Sequence, residues 1–174
     1  EDMDIHIPEN VLNPELLEYG TKQAEMTEFY ITDDKGMKTT AVIKGTEFTI
    51  HVKVAFRDRI VAPIFAFSFK NIKGTEITGT NSMIEKAFLE PVEAGVVKEV
   101  TFKQNMSLQG GEYLLSLGVT GYEGSEFQVY HRLYDVLNVT VVSDKDTVGF
   151  YDMNSKVEVK NAAKDKVIPY RQEA

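Results

Sequence analysis

The sequence predicts an all-β fold, an immunoglobulin-like sandwich of two antiparallel sheets, and three observations carry that expectation. Short runs of alternating apolar and polar residues recur, Gly-rich turn signals separate them, and helical periods are nearly absent. The 174 residues suffice for one domain with a real core, and a hydrophobic content of 43% is ordinary for a globular chain.

Residues 1–20 read as an approach segment, with Pro8, Pro14, many acids and one predicted helical turn at Glu15–Glu18. The sandwich is expected over 21–160, and a polar tail over 161–174. Its first strand runs from Ala24 to Thr32 and ends in the turn Asp33-Asp34-Lys35-Gly36. The second, Thr46 to Arg57, carries the clearest signal. Phe48, Ile50, Val52 and Val54 alternate there with Glu47, Thr49, His51 and Lys53, the period of two of a strand wet on one face. Pro63 to Asn71 follows, with Phe65, Phe67 and Phe69 on one side and Pro63 at a first position that need not donate to the ladder. A turn at Lys73-Gly74 leads to Thr75–Asn81, and Val96–Gln104 is the fifth strand. Gly110-Gly111 opens the sixth, Glu112 to Tyr122, and the seventh spans roughly Tyr134 to Val142. Thr147–Tyr151 and Lys156–Lys160 are expected to add pairing at an edge as a C-terminal extra strand.

Composition and motifs exclude more than they select. A formal net charge of -8 argues against nucleic acid and against attraction to anionic lipid, because both need clustered cations. With no cysteine, disulfides and thiolate chemistry are out. No Gly precedes a Lys, so a Walker loop is excluded, and there is no Gly-x-Ser-x-Gly elbow. His6, His51 and His131 lack ligand spacing. Asp144-Lys145-Asp146 begins like a calcium loop but fails at Val148 and Ser155. Neither a metal nor a cofactor is expected, and no residue volunteers as a catalyst. The opening Glu1-Asp2-Met3 has no signal-peptide character and reads as a fragment of a longer protein.

In an immunoglobulin-like arrangement the third, sixth and seventh strands share a sheet. Its outward residues would include Ser68 and Lys70, then Ser116, Gly118, Thr120 and Tyr122, then Asn138 and Thr140. Such a surface is small, polar and almost uncharged. Hydroxyls and amides pair with sugar hydroxyls, and an aromatic ring stacks on a sugar ring, so the candidate ligand is an oligosaccharide. The segment Tyr130-His131-Arg132-Leu133-Tyr134-Asp135 is the second candidate, with Tyr130, His131, Arg132 and Tyr134 lining a rim at a strand entrance, or with Tyr134 only an anchor in the core. The competing reading is a face that packs against another domain, a subunit or the chain's own tail. A glycan-processing sandwich enzyme would need a carboxylate pair in a cleft, which the sequence does not advertise.

Several blocks also resemble a known family. They are Tyr19-Gly20-Thr21, Ile31-Thr32-Asp33-Asp34-Lys35-Gly36, Pro63 to Lys70, Gly74 to Asn81, Gly110-Gly111-Glu112-Tyr113 and Tyr134-Asp135-Val136-Leu137. In this order they resemble the C-terminal domain of Wzt-type ATP-binding subunits of polysaccharide ABC transporters, over roughly residues 19 to 160. The resemblance implies a non-catalytic, carbohydrate-binding β-sandwich facing the cytoplasm and peripheral to the membrane, behind a nucleotide-binding domain that holds any ATPase activity. Its partners would be an O-antigen-like glycan and the nucleotide-binding and membrane subunits. It further implies a homodimer, in some members formed by exchange of a C-terminal strand, for which Val148–Ser155 is the expected segment.

Overall fold

The computed structural model describes residues 16–162, and nine strands form two sheets there. In order they are β1 (Leu17–Tyr19), β2 (Ala24–Thr32), β3 (Ala41–Ile43), β4 (Glu47–Phe56), β5 (Ile64–Asn71), β6 (Glu76–Asn81), β7 (Val97–Asn105), β8 (Gly111–Glu123) and β9 (Glu126–Val142). The larger sheet runs β1-β9-β8-β5-β6, with β3 also paired to β9, and the smaller runs β2-β4-β7. The predicted all-β sandwich is the observed one, and β5, β8 and β9 are neighbours in one sheet while β4 lies in the other.

The alternation in the sequence translates directly into burial. On β4, Phe48, Ile50, Val52 and Val54 are buried while Thr49, His51 and Lys53 stay partly open. They meet Phe65, Phe67 and Phe69 of β5 and Leu115, Leu117 and Val119 of β8 in a single core. Phe56 packs edge-on against Phe65 with centroids 6.3 Å apart, and Phe67 against Phe102 at 5.0 Å. Such geometries add to the burial of ring area.

Four features depart from the expectations. The helical turn at Glu15–Glu18 is replaced, over its described part, by β1, whose three residues pair with Tyr134, Leu133 and Arg132. Pairing with a neighbouring strand overrides weak local preference. The second is β3, a parallel partner of β9 over Ala41–Ile43, which the sequence reading left out. β9 is also much longer than predicted, beginning at Glu126. Finally, Tyr151 makes one isolated bridge, to Leu108, whereas Lys156–Lys160 has no strand partner among the described residues.

Two irregularities in β9 shape the surface. Between the pairs Leu115↔Leu137 and Leu117↔Leu133, β9 carries extra residues, and Asp135 there has φ 55°. Such bulges bend a strand and re-aim side chains. The second lies between Val119↔His131 and Thr120↔Val129, and it leaves Tyr130 turned into the core.

Candidate functional site

β5, β8 and β9 bring Ser68, Ser116, Gly118, Arg132 and Asn138 to the outer side of the larger sheet. Ser68 stands opposite Ser116 and, on its other flank, opposite Gly79; Gly118 stands opposite Arg132. Gly79 is required by its neighbours, since a Cβ would come within 2.7 Å of the Phe67 carbonyl oxygen. A shallow depression of about 440 Å³ runs from Ser68 onto β6, lined in part by Glu76, Gly79 and Asn81. Only Ser68 of the expected face takes part in it, with Gly79 opposite.

Charge and aromatic rings lie on the same face, towards β9 and β1. Lys70 pairs with Asp135 at 2.7 Å, and the Asp135 backbone N–H donates to Ser116 Oγ at 3.0 Å, which fixes the first bulge. Beside it, Arg132 Nη1 donates to the hydroxyls of Tyr19 at 3.0 Å and Tyr134 at 3.3 Å. Its guanidinium lies 5.9 Å and 5.8 Å from the two ring centroids, within cation–π range. The hydroxyl of Tyr19 and the Arg132 guanidinium together hold the Tyr134 phenol below its ordinary pKa. Burial alone would lower the pKa of Arg132, but the two tyrosines outweigh it and raise it.

β1 is held in place by His131, which is 2% exposed. The Met26 N–H donates to its Nδ1 at 2.8 Å, so the ring proton sits on Nε2 and is donated to Glu18 at 2.8 Å. Lys22 and then His131 hold the Glu18 carboxyl below its ordinary pKa. Gly20, at φ 133°, completes the clamp: a Cβ there would fall 2.3 Å from the Tyr130 carbonyl oxygen.

Of the eight residues singled out in the sequence, Ser68, Lys70, Ser116, Arg132 and Asn138 gather on this face. Ser116 is mostly covered and its hydroxyl is engaged by Asp135. Thr120 is 4% exposed opposite the buried Ile64, and Tyr130 is 1% exposed within the core. Neither presents its side chain to a ligand: the second bulge changes which residues of β9 face inward and so buries Tyr130, while Thr120 on β8 lies covered beside Ile64. Tyr122 is exposed at the tip of the β8–β9 hairpin, paired edge-on with Phe127 at 5.5 Å. Tyr19 is not among the site residues the sequence singles out. Tyr19 lies on a strand too short to show alternation, while Tyr134 is in the rim segment singled out above.

A second concavity opens along the side of the sandwich, between the unpaired edges of β6 and β7. It is a cleft of about 1310 Å³ with Phe67, Phe69, Val100 and Phe102 in its walls and Phe150 and Tyr151 at its end. The chain is pinned there: Asp152 pairs with Lys145 at 2.8 Å and with the buried Lys44 at 3.1 Å, and its N–H donates to the Ser107 carbonyl. Lys145, the Asn154 N–H and Lys44 hold the Asp152 carboxyl well below the usual carboxylate range. Among the described residues no cluster of three or more His, Asp or Glu side chains is arranged to hold a metal ion. No helix there is long and apolar enough to cross a membrane.

Comparison with known proteins agrees with this architecture. The family model described as the Wzt C-terminal domain matches residues 16–153. The fold is similar to a crystal structure of the C-terminal domain of Wzt, with TM-score 0.79 and 23% identity, over 86% of this chain and 91% of that one. A CARDB domain of a Pyrococcus furiosus protein is more distant, at TM-score 0.40 and 15% identity over 68% of this chain and 95% of that one. No curated protein matches the chain. The family match spans most of the chain and the sandwich agrees with it in topology: the chain belongs to the Wzt C-terminal domain family, and so is a domain of an ABC transporter subunit.

Proposed function

We propose that this domain is a non-catalytic recognition unit that holds a polysaccharide, an O-antigen-like glycan awaiting export, against the outer face of the larger sheet. One observation carries the reading. The small residues Ser68, Gly79, Ser116 and Gly118 share one outer face with the Tyr19, Arg132 and Tyr134 cluster, which adjoins Gly118, and Asn138 is exposed farther along β9. Hydroxyl and amide groups supply hydrogen bonds to sugar hydroxyls, and a half-exposed tyrosine offers a ring to stack on. Recognition of this kind makes and breaks no covalent bond. In the transporter the domain would sit at the cytoplasmic face, beside the nucleotide-binding and membrane subunits. Calorimetry with the polysaccharide of the producing strain tests this. Binding that Tyr19→Ala and Asn138→Ala both weaken by about tenfold supports it; heat of binding that neither substitution changes refutes the site.

A second reading, self-association, is favoured by the side cleft. Val157 and Val159 are 85% and 89% exposed and alternate with Glu158 and Lys160 just beyond the anchor at Asp152. That is the pattern of a strand with one apolar face, next to two sheet edges able to accept one. In this reading the segment 155–162 of one copy lies along the cleft of another. Light scattering decides it: removal of residues 155–174 should convert a dimer to a monomer, and an unchanged mass rejects the exchange.

A further inference from the structure

We propose that Arg132 is the anchor for a carboxylate on the bound saccharide, so that the domain selects an acidic glycan; this rests on the glycan reading above. Three arginines lie among the described residues, in a chain with 27 acidic and 19 basic residues. Arg57 pairs with Glu25 and Arg59 with Glu93, whereas Arg132 has no carboxylate within 4.0 Å among the described residues. A half-buried guanidinium with no carboxylate partner among the described residues, in an acidic protein, is the arrangement that calls for an outside anion.

The geometry points to the form of that anion. Both hydrogen bonds of the guanidinium leave from Nη1, towards Tyr19 and Tyr134. The Nε and Nη2 edge, the fork that grips a planar oxyanion at two points, donates to no described residue. Beside it lies Gly118, where a methyl group would sit in ordinary contact 3.6 Å from Nε and a longer side chain would crowd that edge. The tyrosines hold the guanidinium in place, so little ordering remains to be done on binding.

Charge balance favours a monoanion. Lys70 is already neutralised by Asp135 at 2.7 Å, and Glu76 acts on the same cluster through Tyr134. The Arg132 charge has no carboxylate partner among the described residues and remains for the ligand, and a second negative charge on it would meet Glu76. A uronic-acid carboxylate suits the site better than a phosphate monoester.

The test is a nuclear magnetic resonance titration of the 174-residue chain with three probes: methyl β-D-glucuronide, methyl β-D-glucoside and glucose 6-phosphate. The glucuronide should bind at least about tenfold tighter than the glucoside and shift the Arg132 Nε–H and Gly118 amide signals, as expected for a charge-assisted pair. Arg132→Gln should erase the preference. Arg132→Lys, which keeps the charge but loses the fork, should retain only part of it, and it serves as the test if the glutamine variant is misfolded. Equal binding of glucuronide and glucoside, or a preference that survives Arg132→Gln, overturns this inference and leaves the glycan reading standing. Tighter binding of the phosphate overturns the carboxylate assignment. Binding of no probe sinks both.

Discussion

Replacing His131 by leucine tests how the first strand is attached. Leucine fills a similar volume, so the change isolates the two hydrogen bonds from packing. The Met26 N–H, now 2.8 Å from Nδ1 in a buried site, would lose its acceptor. Leaving such a donor unpaired costs about 1–3 kcal/mol. The bond to Glu18 at 2.8 Å contributes less, because the Glu18 side chain is 40% exposed and water replaces the lost donor; about 0.5–1 kcal/mol is reasonable. The sum is about 1.5–4 kcal/mol, or a fall of roughly 3–16 °C in Tm for a domain of this size. Differential scanning calorimetry gives the total, and hydrogen exchange gives its location. The amides of Leu17, Glu18 and Tyr19 should lose protection while those of Leu115 and Leu117 keep theirs relative to global unfolding. His131→Asn, whose amide oxygen can accept from Met26, should recover part of the loss. A Tm within 2 °C of the parent, with β1 still protected, would refute the clamp.

Other expectations follow from the same geometry. Gly20→Ala places a Cβ against the Tyr130 carbonyl at an unfavourable φ, so β1 should detach and Tyr19 fluorescence should change, at a cost of about 1–3 kcal/mol by urea titration. Asp152 has a folded pKa depressed below its unfolded value, so its contribution to stability is complete above the ordinary carboxylate pKa and is lost as pH falls through the folded value. The urea midpoint should therefore drop below pH ~4, and Asp152→Asn should be less stable at neutral pH with a flatter acid limb. Tyr19→Phe removes the hydroxyl that lowers the Tyr134 pKa, so ultraviolet titration should show one phenol moving upward. Ser116→Ala leaves the Asp135 N–H without its acceptor and should cost about 1 kcal/mol by the same urea assay, with Lys70→Ala additive only if the bulge does not depend on both.

How much of this was legible beforehand follows from the length of each element. β4 and β5 carry five or more alternating positions, enough for periodicity to declare both the strand and its inner face. The sheet partnership of β5, β8 and β9 followed from topology rules, and with it the placing of Ser68 and Ser116 on one face, though not their register. β1 and β3 have three residues each, less than two full periods, and both are fixed by pairing to β9 rather than by their own residues. Bulges were beyond reach for a similar reason. Nothing local in Tyr130–Val136 announces that residues are inserted there, yet the insertion sends Tyr130 inward and leaves Arg132 out. The assembly of Arg132 with Tyr19 depends on contacts 113 positions apart in the chain, which alternation along one strand cannot encode.

Tyr19 serves two masters: its ring borders the cation, while its backbone belongs to a strip only three residues long, stapled at Gly20 and Glu18. Traction on the polypeptide ahead of Leu16 would thus be transmitted within a few bonds to the guanidinium. Conversely, a saccharide that immobilises the phenol would tighten that strip against the sandwich.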